Sequence, residues 1–64
     1  MSFLSCRKAA GLTQAQVSEQ IGVSTPAVSM WESGQNKPRA DTLVELAKLY
    51  GCTVDDLLRP DQEG

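Results

Sequence analysis

Gly11, Gly22, Gly34 and Gly51 each close a stretch of periodic apolar character, and this spacing confines the chain to short helices. Glycine takes the left-handed backbone conformation that ends a helix at little steric cost. The segments between them carry matching start signals. Thr13 has Gln16 three residues on, Thr53 has Asp56 in the same relation, and Ser24 or Thr25 precedes Pro26 in a first helical turn. Pro38 cannot lie inside a helix, so the next one begins near Arg39 or Ala40. The pattern predicts helices at about 2–10, 13–21, 24–33, 40–50 and 53–58. Each is too short to hold alone, so stability must come from packed apolar faces. Phe3 and Cys6, Val17 and Ile21, Val28 and Trp31, and Leu43, Leu46, Ala47 and Tyr50 recur at helical spacing and form the expected core with Val54 and Leu57. Leu12, Val23 and Cys52 each follow a glycine, where an apolar residue folds back on the helix just completed. No segment alternates with period two. The fold class is all-α.

A chain of 64 residues, 41% hydrophobic and 22% charged, is one small globular domain, here read as residues 1–59 with a short tail at 60–64. At this size folding buries only about 60% of the unfolded surface, which leaves no room for a deep catalytic pocket. No nucleophile is paired with a base and no Gly-rich phosphate cradle is present, so an enzyme is not expected. Asp55 and Asp56, beside Thr53, suit the positive end of a short helix better than metal or acid–base work. No apolar run approaches the roughly 20 residues that span a bilayer, and residues 1–10 lack a signal-peptide pattern, which points to a cytoplasmic protein. Cys6 and Cys52 fall at apolar positions and the chain has no histidine, so buried free thiols are expected and no metal or cofactor. The net charge of -2 divides unevenly. Residues 1–40 hold Arg7, Lys8, Lys37 and Arg39 against Glu19 and Glu32. The remainder hold six acidic residues, including Asp61 and Glu63, against Lys48 and Arg59. A basic face can therefore sit on an acidic molecule, and phosphates respond to the local field.

Residues 14–33 read as two short helices joined by a glycine turn, the supersecondary pattern of a helix-turn-helix. Val17 and Ile21 line the inner side of the first helix, with Ser18 a small residue where the axes come close. Val23 tucks beneath the turn, and Val28 and Trp31 line the inner side of the second. What remains on the second helix is Thr25, Pro26, Ser29 and Met30, with Ser33 at its end. The same spacing also suits an ordinary helical hairpin with a solvated outer face. Trp31 and Tyr50 fall on apolar faces and read as core, not as stacking platforms for single strands.

The run Leu-Thr-Gln-Ala-Gln-Val-Ser-Glu-Gln-Ile-Gly-Val-Ser at 12–24, then Val-Ser-Met-Trp-Glu-Ser-Gly at 28–34, resembles the phage repressor and Cro type, or Xre type, of DNA-binding family. The likeness continues through Pro38 and residues 43–50 to Val54-Asp55-Asp56-Leu57-Leu58. It implies a compact five-helix, lambda-repressor-like DNA-binding domain, sequence-specific duplex binding by a recognition helix at 24–33, and a two-fold homodimer. Thr25, Pro26, Ser29 and Met30 occupy positions similar to the family's base-reading set. None is Arg, Asn or Gln, the residues that pair bidentately with base edges. Thr25 and Ser29 can hydrogen-bond either kind of base edge; Pro26 and Met30 offer apolar contact. This composition suits modest discrimination with help from DNA shape and water. The alternative is that this face docks a protein.

The resemblance also implies phosphate contacts. Gln14 is similar to a glutamine that donates to phosphate from the helix N-terminus and can brace a recognition-helix side chain. Arg7 and Glu32 match residues that form a partly buried salt bridge, the arginine also facing a phosphate. Ser24, Ser33 and Asn36, with Lys37 and Arg39 flanking Pro38, complete the expected backbone grip. One recognition helix reads few base pairs, so a dimer is expected, and Leu57 and Leu58 are the candidates for its contact. Two other functions remain open on this sequence: the antitoxin of a toxin–antitoxin pair, with a toxin as partner, and a protein-interaction module on the same fold.

Overall fold

The computed structural model of the chain describes residues 2–59. Within them five helices follow in order: α1 (Phe3–Ala9), α2 (Gln14–Ile21), α3 (Thr25–Ser33), α4 (Ala40–Tyr50) and α5 (Val54–Leu58). The proposed tail at 60–64, with Asp61 and Glu63, lies outside the described residues. The expected starts were one residue early at several helices because Ser2, Thr13, Ser24 and Thr53 are N-caps with extended backbone. Thr13 and Gln16 bond reciprocally, as do Thr53 and Asp56. Ser2 and Ser5 form a third box, in which the Ser2 amide donates to Ser5 Oγ at 2.7 Å. At α4 the cap position is Arg39, whose side chain makes no cap hydrogen bond, while Asp41 Oδ1 accepts the Thr42 amide in the first turn at 2.8 Å.

The helix ends repeat one device. The residue after each of the four glycines donates its amide to a carbonyl five residues back: Leu12 to Arg7, Val23 to Ser18, Gln35 to Met30 and Cys52 to Ala47. All four glycines hold positive φ. These bonds satisfy carbonyls that a helix end would leave open. They also turn Leu12, Val23 and Cys52 inward, where each packs, partly buried, against the core.

The core joins all five helices: Phe3 and Cys6 from α1, Val17 from α2, Val28 and Trp31 from α3, Leu46, Ala47 and Tyr50 from α4, and Leu57 from α5. Ile21, Leu43 and Val54 pack at its margin. Among the described residues α2 lies most extensively on α3, while α5 closes the far end against α1 and α4. Pro38 is buried as well, which fixes the loop between α3 and α4 to the body of the domain. Both cysteines are free thiols, Cys6 buried and Cys52 only half-buried. Burial and a hydrogen bond with Cys6 push the Cys52 thiol up to about 12. Among the described residues no helix is long and apolar enough to cross a membrane.

Candidate nucleic-acid interface

The turn between α2 and α3 is built around Ser18. Its carbonyl accepts the amides of Gly22 at 2.8 Å and Val23 at 3.0 Å, so the last turn of α2 closes on this one residue. Gly22 at φ 86° gives the chain its sharp change of direction. Ser24, extended, then caps α3 by accepting the Ala27 amide, and Pro26 sits in the first turn, where its missing N–H costs nothing. Ser18 is only 8% exposed, and its hydroxyl donates to Ala15 O at 2.8 Å while lying 3.1 Å from Thr25 Oγ1. The sequence marked Ser18 only as small. Its polar link across the turn depends on how α2 and α3 cross, and local sequence does not carry that.

Helix α3 has two unlike sides. Val28 and Trp31 are buried, whereas Thr25, Pro26 and Ser29 are exposed and Met30 is half-buried. Ser33 is exposed at the end of the helix, its hydroxyl turned back to Met30 O at 3.2 Å. The candidate base-reading residues therefore occupy the side of α3 that the core does not use. Met30 is exposed over a smaller fraction of its surface than the other three.

Three elements meet at Glu32. Arg7 Nε donates to Glu32 Oε2 at 2.5 Å and Arg7 Nη2 to Oε1 at 3.2 Å. Gln14 Nε2 also donates to Oε1, at 2.9 Å. Arg7 Nη1 reaches Leu12 O at 2.9 Å, tying the α1–α2 connection into the same group. The side chains of Arg7 and Glu32 are 13% and 8% exposed. The hydrogen bond to Glu32 raises the Arg7 guanidinium above its already high ordinary value. Burial, followed by the negative charge of Glu32, pushes the nearby Tyr50 hydroxyl up to about 12. One amide hydrogen of Gln14 is thus committed to Glu32, which leaves its second amide hydrogen and the helix-end N–H groups for any outside acceptor.

The loop after α3 exposes Asn36, Lys37 and Arg39 around the buried Pro38. Asn36 Oδ1 accepts the Lys37 amide at 3.2 Å, a local turn that holds the amide side chain in place. Among the described residues neither Lys37 nor Arg39 forms an ion pair; Arg59 by contrast pairs with Asp55 on its own helix end. Lys37 borders a groove of about 330 Å³, whose apolar wall is made by Phe3, Leu4, Trp31 and Leu58. Leu57, which is also an expected core residue, and Leu58 are the two candidates for a dimer contact, and the structure separates them. Leu57 is 1% exposed because α5 drives it into the core, whereas Leu58 is 48% exposed. Leu4, 37% exposed on the same groove, is an apolar surface residue the sequence reading passed over.

A helix-turn-helix family profile matches residues 4–57. The chain is 39% identical over 56 residues to the HTH-type transcriptional activator BcrR of Enterococcus faecalis, covering 88% of this chain and 28% of that protein. It is 36% identical over 55 residues to Repressor protein C2 of Salmonella phage P22, covering 86% and 26%. A third relative, the cryptic phage CTXphi transcriptional repressor RstR of Vibrio cholerae, is 37% identical over 51 residues, covering 80% and 46%. The chain thus spans between about a quarter and about a half of the length of these relatives. No solved structure gives a significant match. Five helices in this order, with the paired α2 and α3 inside the matched span, agree with the profile and the relatives: the chain belongs to the helix-turn-helix family, of the phage repressor and Cro type.

Proposed function

We propose that this chain is a sequence-specific, double-stranded DNA-binding transcriptional regulator that sets α3 in the major groove and acts as a homodimer on a pseudo-palindromic operator. One observation carries the reading. Helix α3 is held from behind by Val28 and Trp31 while Thr25, Pro26 and Ser29 are exposed, and the following loop exposes two cations without acidic partners among the described residues. A rigid helix with an open, neutral, hydrogen-bonding side, next to uncommitted positive charge, fits a groove lined by phosphates. In this reading Thr25, Pro26, Ser29 and Met30 meet base edges. Lys37 and Arg39 meet phosphates, supported by Ser24, Ser33, Asn36, the N-terminal end of α2 at Gln14, and Arg7 from beside Glu32. The names of the relatives, an activator and two repressors, support regulation of transcription. The reading entails a cytoplasmic protein with no enzymatic role.

Dimerisation follows from information content: one helix contacts few base pairs, and two helices about 34 Å apart on one side of the duplex double the read. Leu58 and Leu4, open on one groove, are the apolar surface from which such a contact would be built. The test is selection of bound duplexes from a random pool at two salt concentrations, with sedimentation of the free protein. The expected result is one enriched motif with two-fold symmetry, weakened by salt. In the Lys37→Ala variant the salt slope falls by roughly 1 while the enriched motif is unchanged. Absence of any enriched duplex removes the function, and an unchanged slope removes the Lys37 contact.

A further inference from the structure

Thr25 is the first residue of α3, exposed on the side proposed to face base edges, and its hydroxyl is not free. A serine or threonine hydroxyl has one proton to give and two lone pairs to receive. Ser18, 8% exposed on α2, gives its proton to Ala15 O at 2.8 Å, a carbonyl that can only accept. The 3.1 Å contact between Ser18 Oγ and Thr25 Oγ1 must then be made with the proton of Thr25. A threonine whose proton points into the protein has only lone pairs to show the outside. The sequence alone left Thr25 able to bond either kind of base edge; the structure removes one of the two.

We infer that Ser18 is a specificity-setting residue: by taking the proton of Thr25, it makes Thr25 an obligate acceptor that selects a base-edge donor in the major groove. The inference rests on the proposed placement of α3 in DNA. In that groove the donors are the amino groups of cytosine N4 and adenine N6, while guanine and thymine present acceptors at the corresponding edges. The base facing Thr25 is therefore adenine or cytosine, and guanine N7 or O6 and thymine O4 are disfavoured because two acceptors meet. Ser18 touches no DNA. It is a positioning residue, and it also pins the first turn of α3 to α2 across the glycine turn.

The experiment is duplex selection from a random pool with the wild-type chain and with Thr25→Val, Thr25→Ser and Ser18→Ala. Valine keeps the shape of threonine without its oxygen, so the operator position whose base frequencies change in Thr25→Val is the one facing Thr25. Wild type should favour adenine or cytosine there by roughly threefold to tenfold, the worth of one net hydrogen bond. Thr25→Ser keeps the bond and should keep the preference. Ser18→Ala returns the proton to Thr25, which then serves donors and acceptors alike, so the preference at that single position should level. Its salt slope and its other positions should stay as in wild type. Removing Ser18 Oγ strands no buried group, since Thr25 is exposed and can turn to water, and circular dichroism verifies that the variant is folded. Three results overturn the inference alone: a wild-type preference for guanine or thymine at that position, an undiminished preference in Ser18→Ala, or no position altered by Thr25→Val. Absence of any enriched duplex for wild type overturns the groove placement and this inference together.

Discussion

Glu32 receives three donors, two from Arg7 and one from Gln14, in a site open to solvent only at its edge. A carboxylate so placed stabilises mainly by what it prevents: without it, Arg7 keeps Leu12 O and loses the counter-charge beside which it is buried. Removing one partner of a buried pair costs about 3–5 kcal/mol, and the edge exposure here favours the low end, about 3. For a domain of this size that is a fall in melting temperature of roughly 12 °C or more. Glu32→Ala is expected to show it in a thermal melt, and Arg7→Ala with Glu32→Ala together should cost less than the sum of the two singles. An unchanged melting temperature in Glu32→Ala would mean the pair is stabilised elsewhere. The ion pair could be named from the resemblance, which implies a matching arginine and glutamate at Arg7 and Glu32. The resemblance also implies that Gln14 braces a side chain of the recognition helix; that this side chain is Glu32, 18 positions away in sequence, depends on how α2 and α3 dock.

At the level of elements, the turn at Gly22 separates what was legible from what was not. Helix ends could be read because they are local: a glycine with φ near 86° and a threonine or serine cap leave their mark within four residues. The Ser2–Ser5 box escaped notice because serine at the third position does not match the usual Glu or Gln partner. The buried state of Pro38, the Ser18–Thr25 link and the split fate of Leu57 and Leu58 depend on angles between helices, and no short window of sequence encodes those. The glycine turn itself supports a clean test. A Cβ at Gly22 would meet nothing within 4 Å, so alanine there is penalised by backbone conformation alone. Gly22→Ala should destabilise by about 1–2 kcal/mol in urea, and Gly22→Asn by less, since asparagine tolerates the left-handed region better. Equal losses for the two would indicate that space, not φ, limits the turn.

Among the described residues, three groups on or near α4 and α5 couple the stability of the molecule to pH. It contains no histidine, the side chain whose ordinary value lies nearest neutrality, so a broad plateau of stability is expected around pH 7. On the acid side, hydrogen bonds from Thr53 hold the Asp56 carboxyl below its ordinary value. Asp56 therefore contributes stability above its unfolded value of 3.8, and that contribution is lost as pH falls through the lower folded value. On the alkaline side the sign reverses. Burial, with Cys6 and Glu32 as neighbours, raises Cys52 from 9.0 and Tyr50 from 10.0, each to about 12. Between those values the folded chain keeps protons that the unfolded chain has released, so stability is full below the unfolded values and falls as pH rises toward about 12. Urea midpoints measured from neutral to strongly alkaline pH should be level at first and then decline from about pH 9. Cys52→Ala should delay the onset to about pH 10, where the lone tyrosine takes over, and Tyr50→Phe should flatten the later part. Tyrosinate absorbance supplies an independent check, because one chromophore reports it: it should rise near pH 12 or together with unfolding, whichever comes first. A rise near pH 10 in the folded protein would show that Tyr50 is better solvated than its 8% exposure implies.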